Sequence, residues 1–483
     1  MKKFLVLVCF GIAMPTSYSQ ETNQVEQLRM QLQQMQENFN RVQQQQKEQI
    51  DSLQKKLEEL TKTQVTISRS PGATAESNSP VAAPVQTTAP AWSPTDPIRV
   101  GNSKGYVDVS MVATFAAGGS TANDIEGGTQ LGGHDPNQRG FTVQGAELNL
   151  QGAVDPYFRG NANIAFQLDS GSESFVELEE AWLETVSLPW NLQIRAGQLL
   201  TDFGRINTQH PHTWAFIDEP LVNGRLLGPD GLRNPGARIS WLAPTPFYSE
   251  LFFTVQNSQG ETAHSFRNDN EGDLFLGRSV EQGRVTSAGD LLFTPRYAAS
   301  FDLTDNQTLL AGASAAFGPN GSGAHTDTQI YGLDAYWKWK PANAHAGFPF
   351  VSWQTEAMLR RYEAGAFAGD ANVTPILNPT PGETLSDWGF YSQVCWGFRP
   401  GWVAALRGDY VGRTERADYE RINGDDPDRL SRWRISPNLT WYPSEFSKIR
   451  LQYNYDDREQ IGVDHSVWLQ FEFLLGAHAA HKF

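Results

Sequence analysis

The sequence predicts an all-β chain: a sixteen-stranded antiparallel transmembrane β-barrel preceded by an N-terminal α-helical coiled coil. Three observations predict it. Polar and apolar residues alternate with a period of two from Gly105 onward, the alternating runs number sixteen, and the connections between runs sort into a short and a long population.

The N-terminus is read first, because its leader takes no part in the fold. Lys2 and Lys3 precede an apolar run from Phe4 to Met14, and Pro15, Ser17 and Ser19 follow. That order predicts a secretory signal over 1–19, removed before Gln20. The apolar run falls short of the ~20 residues that span a bilayer as a helix.

From Val25 the apolar residues step by three and four through Leu28, Leu32, Met35, Phe39 and Val42, and resume at Ile50, Leu53, Leu57 and Leu60. This spacing predicts a coiled coil over 20–64, with a stutter between Phe39 and Ile50 where 11 residues replace two heptads. Gln, Glu and Lys fill the outer positions, so such a helix needs partner helices to be stable in water. Residues 65–97 lack periodicity and are rich in Pro, Ala, Ser and Thr, the composition of a semi-extended linker.

The barrel is expected over 98–483. Asn161, Asn163 and Gln167 interleave with Ala162, Ile164, Phe166 and Leu168, and Arg450, Gln452 and Asn454 interleave with Leu451, Tyr453 and Tyr455. The sixteen runs begin near 105, 139, 158, 175, 191, 235, 247, 289, 307, 328, 350, 386, 402, 430, 447 and 464. Short, mostly Pro-containing connections lie near 155–157, 187–190, 244–246, 304–306, 341–349, 399–401 and 443–446. Long ones lie near 118–138, 201–234, 257–288, 364–385 and 414–429. A soluble β-domain alternates in the same way, but it does not sort its loops by rim or set Trp and Tyr at strand ends, as at Trp337, Trp402, Trp433, Trp441 and Tyr453. Phe483 ends the chain on an aromatic residue.

Composition agrees with this reading. The hydrophobic fraction of 39% is low for a membrane protein built of helices, yet it suits a barrel that shows lipid only every second residue. The net charge of −16 arises entirely after residue 98, which excludes nucleic acid as an expected partner. Cys9 falls in the leader, so Cys395 is left without an internal disulfide partner.

The order of signal, coiled coil, linker and barrel resembles bacterial porins with periplasmic helical extensions. Ala196-Gly197-Gln198-Leu199-Leu200-Thr201-Asp202-Phe203-Gly204 is similar to a stretch of the phosphate-selective porin O/P superfamily. The resemblance implies an outer-membrane pore and a homotrimer. It departs in charge: the barrel holds 24 Arg but only Lys104, Lys338, Lys340, Lys448 and Lys482, so phosphate traffic does not follow from it.

A pore does no bond chemistry; its wall charges and infolded loops set what passes. Alternation places Arg195, Arg238, Arg360, Arg407, Arg432, Arg434 and Arg450 on the lumen side, with Glu147, Glu250, Asp334, Glu356, Asp409 and Glu472. The loop 201–234 is too apolar to float in solvent, with Trp214, Phe216, Ile217, Leu221, Leu226 and Leu227, and is expected to fold inward as a constriction. Its acids Asp202, Asp218, Glu219 and Asp230 should then face the arginines of the thirteenth to fifteenth runs across a narrow water gap. His210 and His212 offer imidazoles for a metal, but a His-Pro-His spacing alone does not define a site, and packing inside the barrel is their expected use.

The function expected is passive diffusion of small hydrophilic solutes or ions across the outer membrane, with no enzymatic activity and no cofactor. The expected partners are outer-membrane lipid, two further copies of the chain and, through the coiled coil, peptidoglycan. One alternative is an envelope tether or adhesin acting through the coiled coil. Another is an outer-membrane hydrolase, against which no nucleophile elbow is present.

Overall fold

The computed structural model describes residues 98–102, 105–153, 155–268, 274–281 and 283–476. The leader, coiled coil and linker expected over 1–97 lie outside the described residues, as does the terminal Phe483.

Sixteen long antiparallel strands form the wall. They are β1 (Gly105–Ser120), β2 (Gly140–Ala153), β3 (Phe158–Leu168), β4 (Ser174–Thr185), β5 (Leu192–Leu200), β6 (Arg233–Leu242), β7 (Tyr248–Asn257) and β8 (Leu291–Thr304). The second half comprises β9 (Gln307–Pro319), β10 (Asp327–Trp339), β11 (Phe350–Ala364), β12 (Glu383–Arg399), β13 (Trp402–Arg413), β14 (Arg432–Ser444), β15 (Ser447–Arg458) and β16 (Gly462–Leu475). Each pairs with its sequence neighbours. β16 closes the circle on β1, from Ser466 opposite Ser120 to Leu475 opposite Met111. A short leading strand, Ile98–Asn102, folds back on the start of β1 just beyond the end of β16, and Arg99 holds Asp108 there with two hydrogen bonds of 2.7 and 2.8 Å.

The burial pattern is inverted relative to a soluble protein. Along β14, Arg432, Arg434, Ser436, Asn438 and Thr440 are buried, while Trp433, Ile435, Leu439 and Trp441 are exposed. Side chains of a strand alternate between its faces, so the polar set lines the interior and the apolar set faces outward. Aromatic residues collect at both rims of that outer face. Trp402 stacks on Trp441 at the short-turn end, with centroids 5.9 Å apart, and Trp433 lies 5.1 Å from Tyr455 at the long-loop end. Two such belts bracketing an apolar band suit a bilayer and its two interfaces.

Local chemistry explains the tight spots. Gly197 of β5 has a φ of +139°, and a Cβ there would come within 2.1 Å of the Ala181 carbonyl oxygen on β4. Only glycine lets β5 approach β4 so closely.

Candidate functional site in the lumen

The segment between β5 and β6 folds into the barrel interior. Its short helix, Leu221–Leu226, begins after Pro220, whose fixed φ suits a helix start. The helix packs on β11, β12 and β13. Phe203, Ile206, Trp214, Leu221, Val222, Leu226 and Leu227 form one apolar cluster with Leu292, Ala316, Ile330, Met358, Tyr391 and Val411 of the wall. An apolar loop inside a polar tube thus builds its own core.

Polar bonds fix the path of the segment. The amides of Arg205 and Ile206 donate to Glu356 at 3.0 and 2.8 Å, and the Tyr391 hydroxyl donates to the same carboxylate at 2.6 Å. Further on, Lys448 Nζ donates to the His212 carbonyl at 2.6 Å and Arg450 Nη2 to the Trp214 carbonyl at 3.0 Å. Asp218 marks the far point. Its carboxylate accepts from Arg407 and Arg434, both at 2.7 Å, from Gln452 at 2.8 Å and from Asn454 at 2.9 Å, and it is fully buried. The flanking arginines hold the Asp218 carboxyl below the usual carboxylate range, although burial opposes them.

Direct contact here replaces the water gap expected from the sequence. The reason is reach: the segment is anchored by wall side chains at each step, so the Asp218 carboxylate arrives at hydrogen-bond distance. The other acids do not meet this arginine group. Asp202 pairs with Arg238 near the root of the segment at 3.2 Å, and Glu219 lies beside Asp135 of the first long loop, which accepts the Glu219 amide at 2.8 Å. Asp230 abuts Gly133 of that same loop, where a Cβ would come within 2.3 Å of its Oδ1.

The seven lumenal arginines are engaged. Arg195 and Arg238 share Glu184 at 2.7 and 2.9 Å, Arg360 holds Asp387 at 2.8 Å, and Arg407 also holds Asp409 at 2.8 Å. Arg432 and Arg434 share Asp456 at 2.5 and 2.6 Å, and Arg450 bonds Thr440 and Gln470. Among the acids, Asp334 pairs with Arg296 at 2.6 Å and Glu472 with Lys448 at 2.7 Å, while Glu250 accepts from the Tyr248 hydroxyl at 2.7 Å. Charges in a tube this crowded must be paired, because an isolated ion away from bulk water is costly. Above the segment lies a cavity of about 670 Å³, walled by several of the long loops and by Arg225, Arg360, Arg432 and Arg458.

Elsewhere in the interior, His210 and His212 meet Glu147, which the alternation of polar and apolar residues singled out, and Glu179 and Glu180, which it did not. His210 lies 3.1 Å from both Glu179 and Glu180, His212 lies 2.9 Å from Glu147, and His134 of the first long loop lies 3.0 Å from Glu179. Burial disfavours a charged His134, yet the hydrogen bond and charge of Glu179 hold its imidazole up at about 9. The Glu177–Glu180 run is visible in the sequence, but strict alternation would send half of it outward.

The carboxyls around Glu219 make the docking of the segment sensitive to pH. Burial, then Asp135 and Asp230, push Glu219 well above the usual range, and burial with Asp218 nearby pushes Asp135 up to about 7. Arg407 and Arg434 oppose these shifts, and Glu356 adds to that on Glu219. A carboxyl raised in the folded state stabilises that state below its unfolded value of ~4, and the stabilisation is lost as pH rises through the folded value. Protease protection of 201–234 should therefore weaken between pH 5 and pH 8, and Glu219→Gln should flatten the profile. A wild-type profile that is flat, or that runs the other way, would refute the shifts.

A closed sixteen-stranded barrel with an apolar outer band, a polar lumen and an infolded segment after its fifth strand defines the class of outer-membrane porin folds. Comparison places the chain more narrowly. An uncharacterized protein of Aquifex aeolicus (strain VF5) is 32% identical over 413 residues, 78% of this chain and 80% of that one, and the chain belongs to the same family. Among solved structures, the outer membrane channel DcaP of Acinetobacter baumannii matches 78% of this chain and 99% of its own at 12% identity, with a TM-score of 0.50. An anion-selective porin from Comamonas acidovorans matches 77% of this chain and 100% of its own at 9% identity, with a TM-score of 0.47. No family model matches the chain.

Proposed function

We propose that the protein is an outer-membrane diffusion channel for small hydrophilic solutes or ions, with residues 201–234 forming its constriction. The observation that carries this reading is the clamp on Asp218, which holds the middle of the segment against the lumenal faces of β13, β14 and β15. The DcaP structure, described as an outer membrane channel, shares the fold and supports the same reading. On this view the Gly197–Gly204 stretch reflects kinship with the phosphate-selective porin O/P-like superfamily, while the pairing of six of the seven lumenal arginines with carboxylates argues for a mixed-charge wall rather than a phosphate ladder. The chain acts as a homotrimer, and its coiled coil extends into the periplasm toward peptidoglycan.

Planar-bilayer recording of the purified protein in a salt gradient tests this. Conductance is expected, with closures in three equal steps. Replacing Arg432 and Arg434 by Ala should shift the reversal potential toward cations, and replacing Asp218 and Glu219 by Asn and Gln should shift it toward anions. A folded barrel that carries no current would instead indicate a membrane anchor. If neither double change moves the reversal potential, these residues do not line the constriction.

A further inference from the structure

Two irregularities in the wall lie on the strands that flank β3. In β2, Thr114 of β1 stands opposite Gly145 and Phe115 opposite Val143, so Gln144 is an extra residue. In β4, Asn163 stands opposite Glu180 and Ile164 opposite Leu178, so Glu179 is an extra residue. A bulge turns consecutive side chains toward one face, which a regular strand cannot do. Glu179 and Glu180 are accordingly both buried, at 2% and 8% exposure.

We propose that Glu147, Glu179 and His210 bind one divalent transition-metal ion of the Zn²⁺ class, tying the infolded segment to β2 and β4. One ligand atom from each of the three lies within 4.8 Å of the others. His210 presents Nδ1 to this group, and Glu180 holds its other ring nitrogen, Nε2, at 3.1 Å. A carboxylate on the distal nitrogen is what fixes the ring of a metal-bound histidine. His134 in turn occupies the second oxygen of Glu179.

A second observation points to the same place. Asn163 is fully buried and its amide lies on all three donors, with Nδ2 at 2.6 Å from Glu179, 3.2 Å from Glu147 and 3.0 Å from His210 Nδ1. Its Oδ1 has no hydrogen-bond partner. A half-turn of the amide exchanges the two atoms and turns Oδ1 toward the same three side chains, where a bound cation would give it a partner. An adjoining cavity of about 30 Å³, bordered by Glu179 and His210, has room for a water ligand. Mixed imidazole and carboxylate donors without thiolate favour Zn²⁺, Co²⁺ or Ni²⁺ over Ca²⁺ or Mg²⁺, which require oxygen shells. The site does not depend on the transport reading, since its test measures binding.

The experiment uses the full-length protein, stripped with a chelator and dialysed against Co²⁺ or Zn²⁺. Elemental analysis should find about one ion per chain, Co²⁺ should give a visible absorption band, and the melting temperature should rise with the metal. His210→Ala should lower affinity at least about tenfold, as should Glu179→Gln. The exposed His325→Ala should leave it unchanged. If Glu179→Gln fails to assemble, His210→Ala carries the test, because His210 lies on the segment and not in the wall. Absence of stoichiometric uptake by the wild type, or equal uptake by His210→Ala, would mean that protonated imidazoles alone balance these carboxylates and would overturn the proposal.

Discussion

Asp218→Ala is expected to release the middle of the infolded segment and to produce a larger, noisier single-channel current. The substitution leaves Arg407 and Arg434 with one carboxylate partner each, Asp409 and Asp456, and strips an acceptor from Gln452 and Asn454. Breaking a buried ion pair by removing one partner costs about 3–5 kcal/mol. Each 1.4 kcal/mol is a factor of ten in population, so a fully docked segment becomes one that is detached for a measurable fraction of the time. The wall should still form, because its strand pairing does not involve Asp218. Protease should cut within 201–234 in the variant and not in the wild type. An unchanged current together with an unchanged digestion pattern would show that the clamp does not hold the segment.

The second large effect is expected on the outer face. Leu451 is 51% exposed and paired with Leu439 and Leu469 on the neighbouring strands. Arg450, one residue earlier, is buried and bonded. Leu451→Arg should cost about 2–4 kcal/mol if that position faces the hydrocarbon midplane. On a soluble surface the same change would fall within about 0.5 kcal/mol. Equilibrium refolding into lipid vesicles measures the difference. A neutral result would place Leu451 in water and undo the assignment of the outer face.

The wall was legible in the sequence because one rule governs it. Every strand start agrees with its alternating run to within a few residues, the widest being 386 against an observed Glu383. Period two, Pro-rich short turns and rim aromatics are local signals, and a barrel has little else. Segment 201–234 was legible as apolar and therefore as unsuited to solvent. Its partners were not, because contacts such as Asp218 with Arg434, 216 residues apart, depend on how the chain crosses the interior. The histidine cluster was hidden for a different reason. His134 comes from another loop, and the bulge at Glu179 shifts the phase of β4 midway, so the residues before and after it obey opposite parities. Alternation read without that shift sends either Glu177 and Glu179 or Glu180 and Glu184 to the wrong face.

The clamp at Asp218 also has a mechanical meaning. The segment is rooted in β5 and β6 at its ends and pinned between them at Arg205, Ile206, His212, Trp214 and Asp218, so it behaves as a strip on a series of supports rather than two. Its thermal bending is confined to the short spans between those supports. A disturbance in one span is damped at the next support.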